Sequence, residues 1–163
     1  MIRVYPAPHE PYDGSADETP LVKLWYGLLT DCLKRGSERI HLFLSDPLEP
    51  PQSDQAMDEE LRLEIEAYPH AFRTFTIRAY ANGAWEDVMK PSSKMYPAFL
   101  QRLKVMASFS LAKRLPIEQG RFRYALGDAL YEIAVTVRVL PDGSEEAMVD
   151  LPSAPVPFAR QPS

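Results

Sequence analysis

Apolar residues recur at helical spacing between Leu21 and Leu33, where Leu21, Leu24, Trp25, Leu28, Leu29, Cys32 and Leu33 fall on one stripe. Thr19 can cap this segment, Pro20 suits a first helical turn and Gly36 supplies a stop, so the pattern predicts a helix ending just before Gly36. The period then changes to two. Ile40, Leu42 and Leu44 alternate along one face of a short strand, with His41 on the other. In the stretch from Phe72 to Tyr80, Phe75, Ile77 and Ala79 alternate against Thr74, Thr76, Arg78 and Tyr80, which predicts a second strand. Asn82-Gly83 follows. Both positions tolerate positive φ, so the dipeptide predicts a two-residue hairpin with Ala84 to Val88 as the returning strand. A second helical stripe comprises Phe99, Leu100, Leu103, Met106 and Ala107, and Pro97 belongs near its start because proline breaks a helix interior. Phe122 to Leu126, Leu130 to Val139 and Glu145 to Leu151 read as three further strands, joined by the turn residues Gly127-Asp128 and Pro141-Asp142-Gly143.

The remaining segments interrupt this pattern. Residues 46 to 57 are rich in Pro, Asp, Ser and Gln and read as a loop. Met57 to Tyr68 carries a helical pattern around Leu61 and Ile65, but acidic residues outnumber apolar ones, which predicts a surface helix. Residues 1–18 hold prolines and acidic residues without a sustained period and read as an arm, and residues 153–163 read as a Pro-rich tail. The whole predicts one α+β domain over residues 19–152. It would hold an antiparallel sheet of about six strands, two principal helices and a surface helix set between the first two strands.

Composition narrows the chemistry. A formal charge of −5 argues against a phosphate-tracking surface, so no nucleic-acid partner is expected. Cys32 is the single cysteine and can form no internal disulfide; its place on an apolar helical stripe makes it a small buried hydrophobe. No run reaches membrane-spanning length and the N-terminus has no charged segment leading into an apolar one, so the expected protein is soluble and cytoplasmic.

No Gly-Lys dipeptide occurs, and a P-loop needs successive backbone amides and a lysine around the phosphates. His9, His41 and His70 have no Cys or His at metal-ligand spacing, and the adjacent acidic pairs Asp58/Glu59 and Glu145/Glu146 do not face one another. The sequence therefore offers no catalytic, cofactor-binding or metal-ligating residue, and no enzyme is expected. Arg78, Arg121 and Arg123 lie on predicted strands that could present them to an anion.

Certain segments carry a resemblance. Arg102-Leu-Lys-Val-Met-Ala107 followed by Pro116-Ile-Glu-Gln-Gly120-Arg121, Ser37-Glu-Arg-Ile-His41, Arg78-Ala-Tyr-Ala-Asn-Gly83 and Thr136-Val-Arg-Val-Leu140-Pro141 resemble the N-terminal, PAS-like domain of the type II secretion and type IV pilus assembly ATPases. The match runs from about Val22 to Leu151 without the ATPase half, and against it residues 46–69, with their surface helix, are an acidic insertion. The resemblance implies a PAS-like version of the α+β fold. It also implies arginines that reach nucleotide phosphates on a neighbouring ATPase domain; of those, Arg78 is retained, while Tyr80 and Thr136 replace two others.

The expectation is a non-catalytic protein-interaction, assembly or regulatory module, whose partner is a secretion or pilus ATPase or another copy of itself. The insertion at 46–69 and the sheet face bearing Arg78 and Tyr80, together with Arg121, are the expected partner-binding surfaces. A second reading is a PAS-like small-molecule sensor with Trp25, Phe75, Trp85 and Phe99 around a pocket.

Overall fold

The computed structural model describes residues 2–4, 12–13, 20–45, 73–111 and 115–156. The first helix, α1 (Pro20–Lys34), buries Val22, Trp25, Tyr26, Leu28, Leu29 and Cys32. It stops as the sequence dictates. Gly36 takes φ 76°, its N–H donates to the Leu33 carbonyl at 3.2 Å, and the Ser37 N–H donates to the Cys32 carbonyl at 2.9 Å. This pair of bonds is a Schellman cap, which needs a residue free to adopt the left-handed conformation.

The strands follow in two antiparallel meanders. The first comprises β3 (Arg39–Ser45), β4 (Thr74–Ala81) and β5 (Ala84–Met89), and the second β6 (Ile117–Leu126), β7 (Ala129–Val139) and β8 (Glu145–Asp150). A single 3₁₀ turn at Ser93–Met95 leads into α2 (Tyr96–Met106), which carries the chain from one meander to the other. The two meanders join where β3 pairs with β8, giving the order β5-β4-β3-β8-β7-β6. The result is the expected α+β fold, with six antiparallel strands and two helices among the described residues. The inserted surface helix expected at 57–68 lies outside the described residues.

Two short segments extend the sheet beyond that expectation. β1 (Ile2–Val4) and β2 (Tyr12–Asp13), both within the stretch read as an arm, pair in parallel with β6. They occupy backbone donors and acceptors that β6 would otherwise leave unpaired at the sheet's edge. β6 itself begins at Ile117, five residues before the strand start expected at Phe122. The reason is Gly120. A Cβ there would stand 2.5 Å from Phe109 Cε1 and 2.6 Å from the Ala107 carbonyl oxygen, so the glycine lets the chain leaving α2 cross closely over β6.

Both helices contribute to one core. Trp25 and Leu29 of α1 and Phe99, Leu103 and Met106 of α2 are fully buried in a single cluster with Ile40, Leu42, Ile77, Ile133 and Val149 of the sheet. Trp25 and Phe99 pack with centroids 4.4 Å apart and planes tilted by 33°, and the Trp25 indole N–H donates to the Phe99 carbonyl at 3.0 Å. That bond satisfies a polar group that would be costly to bury alone. The opposite sheet face carries the polar half of each strand's alternation, and the unusual chemistry lies there.

Candidate functional site

Cross-strand register builds this face row by row. One row sets Gln119, Thr136, Met148, His41, Arg78 and Asp87 side by side across the six strands. The next sets Arg121, Ala134, Asp150, Arg39, Tyr80 and Trp85 in line. Arg78 and Tyr80 are therefore neighbours on β4. Arg121, at the far end of its row on β6, is four strands from Tyr80, about 19 Å at ordinary strand spacing. Arg121 is also engaged, with Nη1 3.2 Å from Glu132, and Arg123 shares its strand rather than that of Arg78. The geometry thus brings two of the three expected partner-binding residues together and leaves Arg121 apart.

Arg78 is the centre of a cluster. Its guanidinium carbon lies 4.9 Å from the Phe43 ring centroid and 4.5 Å from that of Trp85, a cation held between two aromatic faces. Its Nε–H donates to His41 Nδ1 at 3.1 Å, while His41 Nε2 lies 2.9 Å from Glu146 Oε2. The other carboxylate oxygen of Glu146 accepts from Arg138. An arginine Nε can only donate, so Nδ1 must accept and the histidine proton must sit on Nε2, pointing at Glu146. His41 also stacks on Phe43 with centroids 4.7 Å apart.

Electrostatics follow from this packing. Burial pushes His41 below its ordinary value, and the Glu146 hydrogen bond opposes that shift without cancelling it. Burial alone would raise Glu146, but hydrogen bonds from His41 and Arg138 outweigh it and hold the carboxyl below the usual range. Other arginines on this face have carboxylates close by. Arg39 Nε lies 2.7 Å from Asp150, and Arg138 pairs with Glu146. Arg78 has no carboxylate partner among the described residues; its partners are an imidazole and two rings.

At the outer rim of the cluster, Trp85 is exposed and meets Tyr80 edge-on with centroids 5.2 Å apart. A shallow depression of about 570 Å³ beside it is lined by Glu38, Arg39, Tyr80, Trp85, Asp150 and Leu151. The four aromatics read as a possible sensor pocket do not line one. Trp25, Phe75 and Phe99 are packed against one another in the core, with Phe75 and Phe99 5.7 Å apart, whereas Trp85 lies on the opposite face. The odd–even alternation of β4 and β5 accounts for the separation, because Phe75 pairs into the core side and Trp85 stands opposite Tyr80.

Among the described residues no group of three His, Cys, Asp or Glu side chains could hold a metal ion. No helix among them is long and apolar enough to cross a membrane. Cys32 is buried and unbridged, and burial pushes its thiol up, away from the reactive thiolate. Phe43 is the member of the cluster that the sequence reading passed over, and Glu146 figures there only as half of an acidic pair with Glu145. Phe43 left a trace, as an aromatic on the polar face of its strand; the pairing of Glu146 with His41 left none, since the two meet across 105 residues of chain.

With this geometry in hand, comparison with known proteins adds a direction. No family model matches the chain. It is 28% identical over 113 residues to the type IV pilus assembly ATPase PilB of Myxococcus xanthus, which is 69% of this chain and 15% of that protein. It is 24% identical over 135 residues to the type II secretion system ATPase E of Vibrio cholerae, 83% of this chain and 21% of that one. Against the type II secretion system protein E of Klebsiella pneumoniae, identity is 26% over 136 residues, 83% of this chain and 22% of the other. This chain is similar to a small part of the secretion and pilus ATPases. The similarity agrees with the resemblance carried by Arg102 to Ala107 and the segments around it.

Proposed function

We propose that this chain is a non-catalytic assembly or regulatory module that binds a protein partner of a type II secretion or type IV pilus machine, on its cytoplasmic side. The observation that carries the reading is the proportion of the match: up to 83% of this chain corresponds to 15 to 22% of each ATPase. What is shared is domain-sized, and the 163 residues contain no Gly-Lys dipeptide around which a phosphate cradle could form.

The face around Arg78, Tyr80 and Trp85 is the contact surface in this reading. Trp and Arg are the residues most often found to dominate binding energies at protein interfaces, and Tyr shares that tendency. Here the arginine is held in place by Phe43, Trp85 and His41 before any partner arrives, so little side-chain freedom is left to lose.

The test is a calorimetric titration of the full chain against a purified type II secretion or type IV pilus assembly ATPase from the same cell, alongside an assay of ATP turnover by the chain alone. A saturable complex with a Kd of roughly 10 μM or tighter, and no turnover, is expected. Turnover by the isolated chain, or no complex with either kind of ATPase, would overturn the proposal.

A further inference from the structure

The sheet has two edges, and the structure treats them differently. β6 is closed by β1 and β2, whereas no strand among the described residues pairs with the outer side of β5. β5 is also well exposed, with Ala84, Trp85, Glu86 and Asp87 all open to solvent. Its first four residues pair regularly with β4, and the register slips only beyond them, where Arg78 pairs with Asp87 and Ile77 with Met89, passing over Val88. No proline blocks it. The Asn82-Gly83 turn, with φ of 54° and 80°, holds the strand against β4 and leaves its outer amides and carbonyls pointing away.

The charges on this edge select among occupants; Asp87 already meets Lys90 at 3.6 Å, but in an exposed pair of the kind worth little, which a second cation can share. A second copy of the chain is disfavoured. Every two-fold antiparallel register that keeps nearly the whole strand paired sets carboxylate directly against carboxylate: Glu86 on Asp87, Glu86 on Glu86, or Asp87 on Asp87. A segment with two consecutive basic residues meets both carboxylates at once, one on each sheet face, because successive side chains alternate. Its next residue would then lie opposite Trp85, whose ring favours an apolar or β-branched contact.

We infer that β5 is a strand-addition site for an extended, basic segment of a protein partner, with Glu86 and Asp87 pairing its cations and Trp85 anchoring the adjacent residue. Backbone bonds to β5 supply affinity and the acidic pair supplies selectivity. Exposed charge is a usual guard against edge-to-edge aggregation. On β5 the same charge rejects a like strand and admits an opposite one. The inference rests on the protein-binding reading above and names the edge that reading would use.

The probe is the acetylated, amidated hexapeptide Thr-Val-Lys-Lys-Val-Thr, titrated into the full chain while backbone amide chemical shifts are followed. Expected are saturable shifts confined to β5 and its hairpin turn, with a Kd of a few millimolar or tighter, on the order of 1 mM. The glutamate version of the peptide should bind at least roughly tenfold more weakly, as like charges opposite one another are destabilising. Charge reversal by Glu86→Lys with Asp87→Lys should exchange the two preferences, and both positions are exposed, so the fold should survive. A peptide methylated on alternate backbone nitrogens keeps its charge but cannot pair, and it should not bind.

Equal binding by the methylated peptide, shifts centred elsewhere, no saturable binding, or concentration-dependent β5 shifts without peptide, the mark of self-association, would each overturn the edge assignment. If the charge-reversed chain still binds the ATPase and Trp85→Ala does not, the module reading stands and the edge proposal falls.

Discussion

Arg78 donates its Nε–H to Nδ1 of His41 at 3.1 Å, and that single contact decides which imidazole nitrogen carries the proton. A second proton on His41 would set two donors against each other beside a guanidinium, in a place where burial already disfavours charge.

A pH dependence follows. The folded-state pKa of His41 lies below its unfolded value of 6.5, so the unfolded chain binds more protons. The resulting stability is fully present above that value and is lost as pH falls through the lower, folded one. Chemical denaturation at a series of pH values should show the wild type losing stability relative to His41→Gln as pH drops below about 6.5. Parallel curves for the two proteins over that range would contradict the assigned environment.

Glycine substitutions at two sites should have opposite signs. Gly120→Ala forces a methyl group into the Phe109 ring and the Ala107 carbonyl and should cost about 1–3 kcal/mol. Gly27→Ala, within α1 and with nothing within 4 Å of the added Cβ, should instead stabilise by about 0.5–1 kcal/mol. Denaturation midpoints of the two variants, compared with wild type, decide both.

α2 offers a matched pair two residues apart. Leu103 is fully buried and Val105 is 40% exposed. Leu103→Ala should destabilise by about 2–5 kcal/mol through the cavity it leaves, while Val105→Ala should stay within about 0.5 kcal/mol of wild type. Similar losses at both positions would mean that the buried face of the helix lies elsewhere.

Binding should separate from stability at Trp85. The side chain is on the surface, so Trp85→Ala should leave the melting temperature within a few degrees, while weakening capture of a partner ATPase by on the order of tenfold or more. Arg78→Lys should weaken it too, because a lysine loses the planar contact with Phe43 and Trp85. Unchanged affinity in both variants would move the contact surface off this face.

The elements were legible because period and punctuation agree along much of the chain. Leu21 to Leu33 ends at a glycine in the left-handed region, and Phe75, Ile77 and Ala79 alternate up to an Asn-Gly turn. The start of β6 was hidden, since Gly120 reads as a turn residue until Phe109 is known to lie over it. Arg78 and Tyr80 were legible as neighbours on the polar face of one strand. Their setting was not. Phe43 reaches Arg78, and Glu146 and Arg138 reach His41, only through the β3–β4, β3–β8 and β7–β8 registers, and local spacing carries no information about which distant strands become neighbours.

The junction of the two meanders also governs the order in which the molecule can be completed. β3 pairs with β8, setting Leu42 beside Ala147 and Ile40 beside Val149, so the middle of the sheet joins residues separated by more than half the chain. Contacts of such high order are slow to form, because long loops must close before the pairing repays them. On a ribosome, β3 and β4 would emerge and pair while the inner edge of β3 waited for residues 145 to 150. For that interval the strand bearing Ile40, Leu42 and Leu44 is an open apolar edge, the point at which a nascent chain is most exposed to aggregation and most in need of a chaperone.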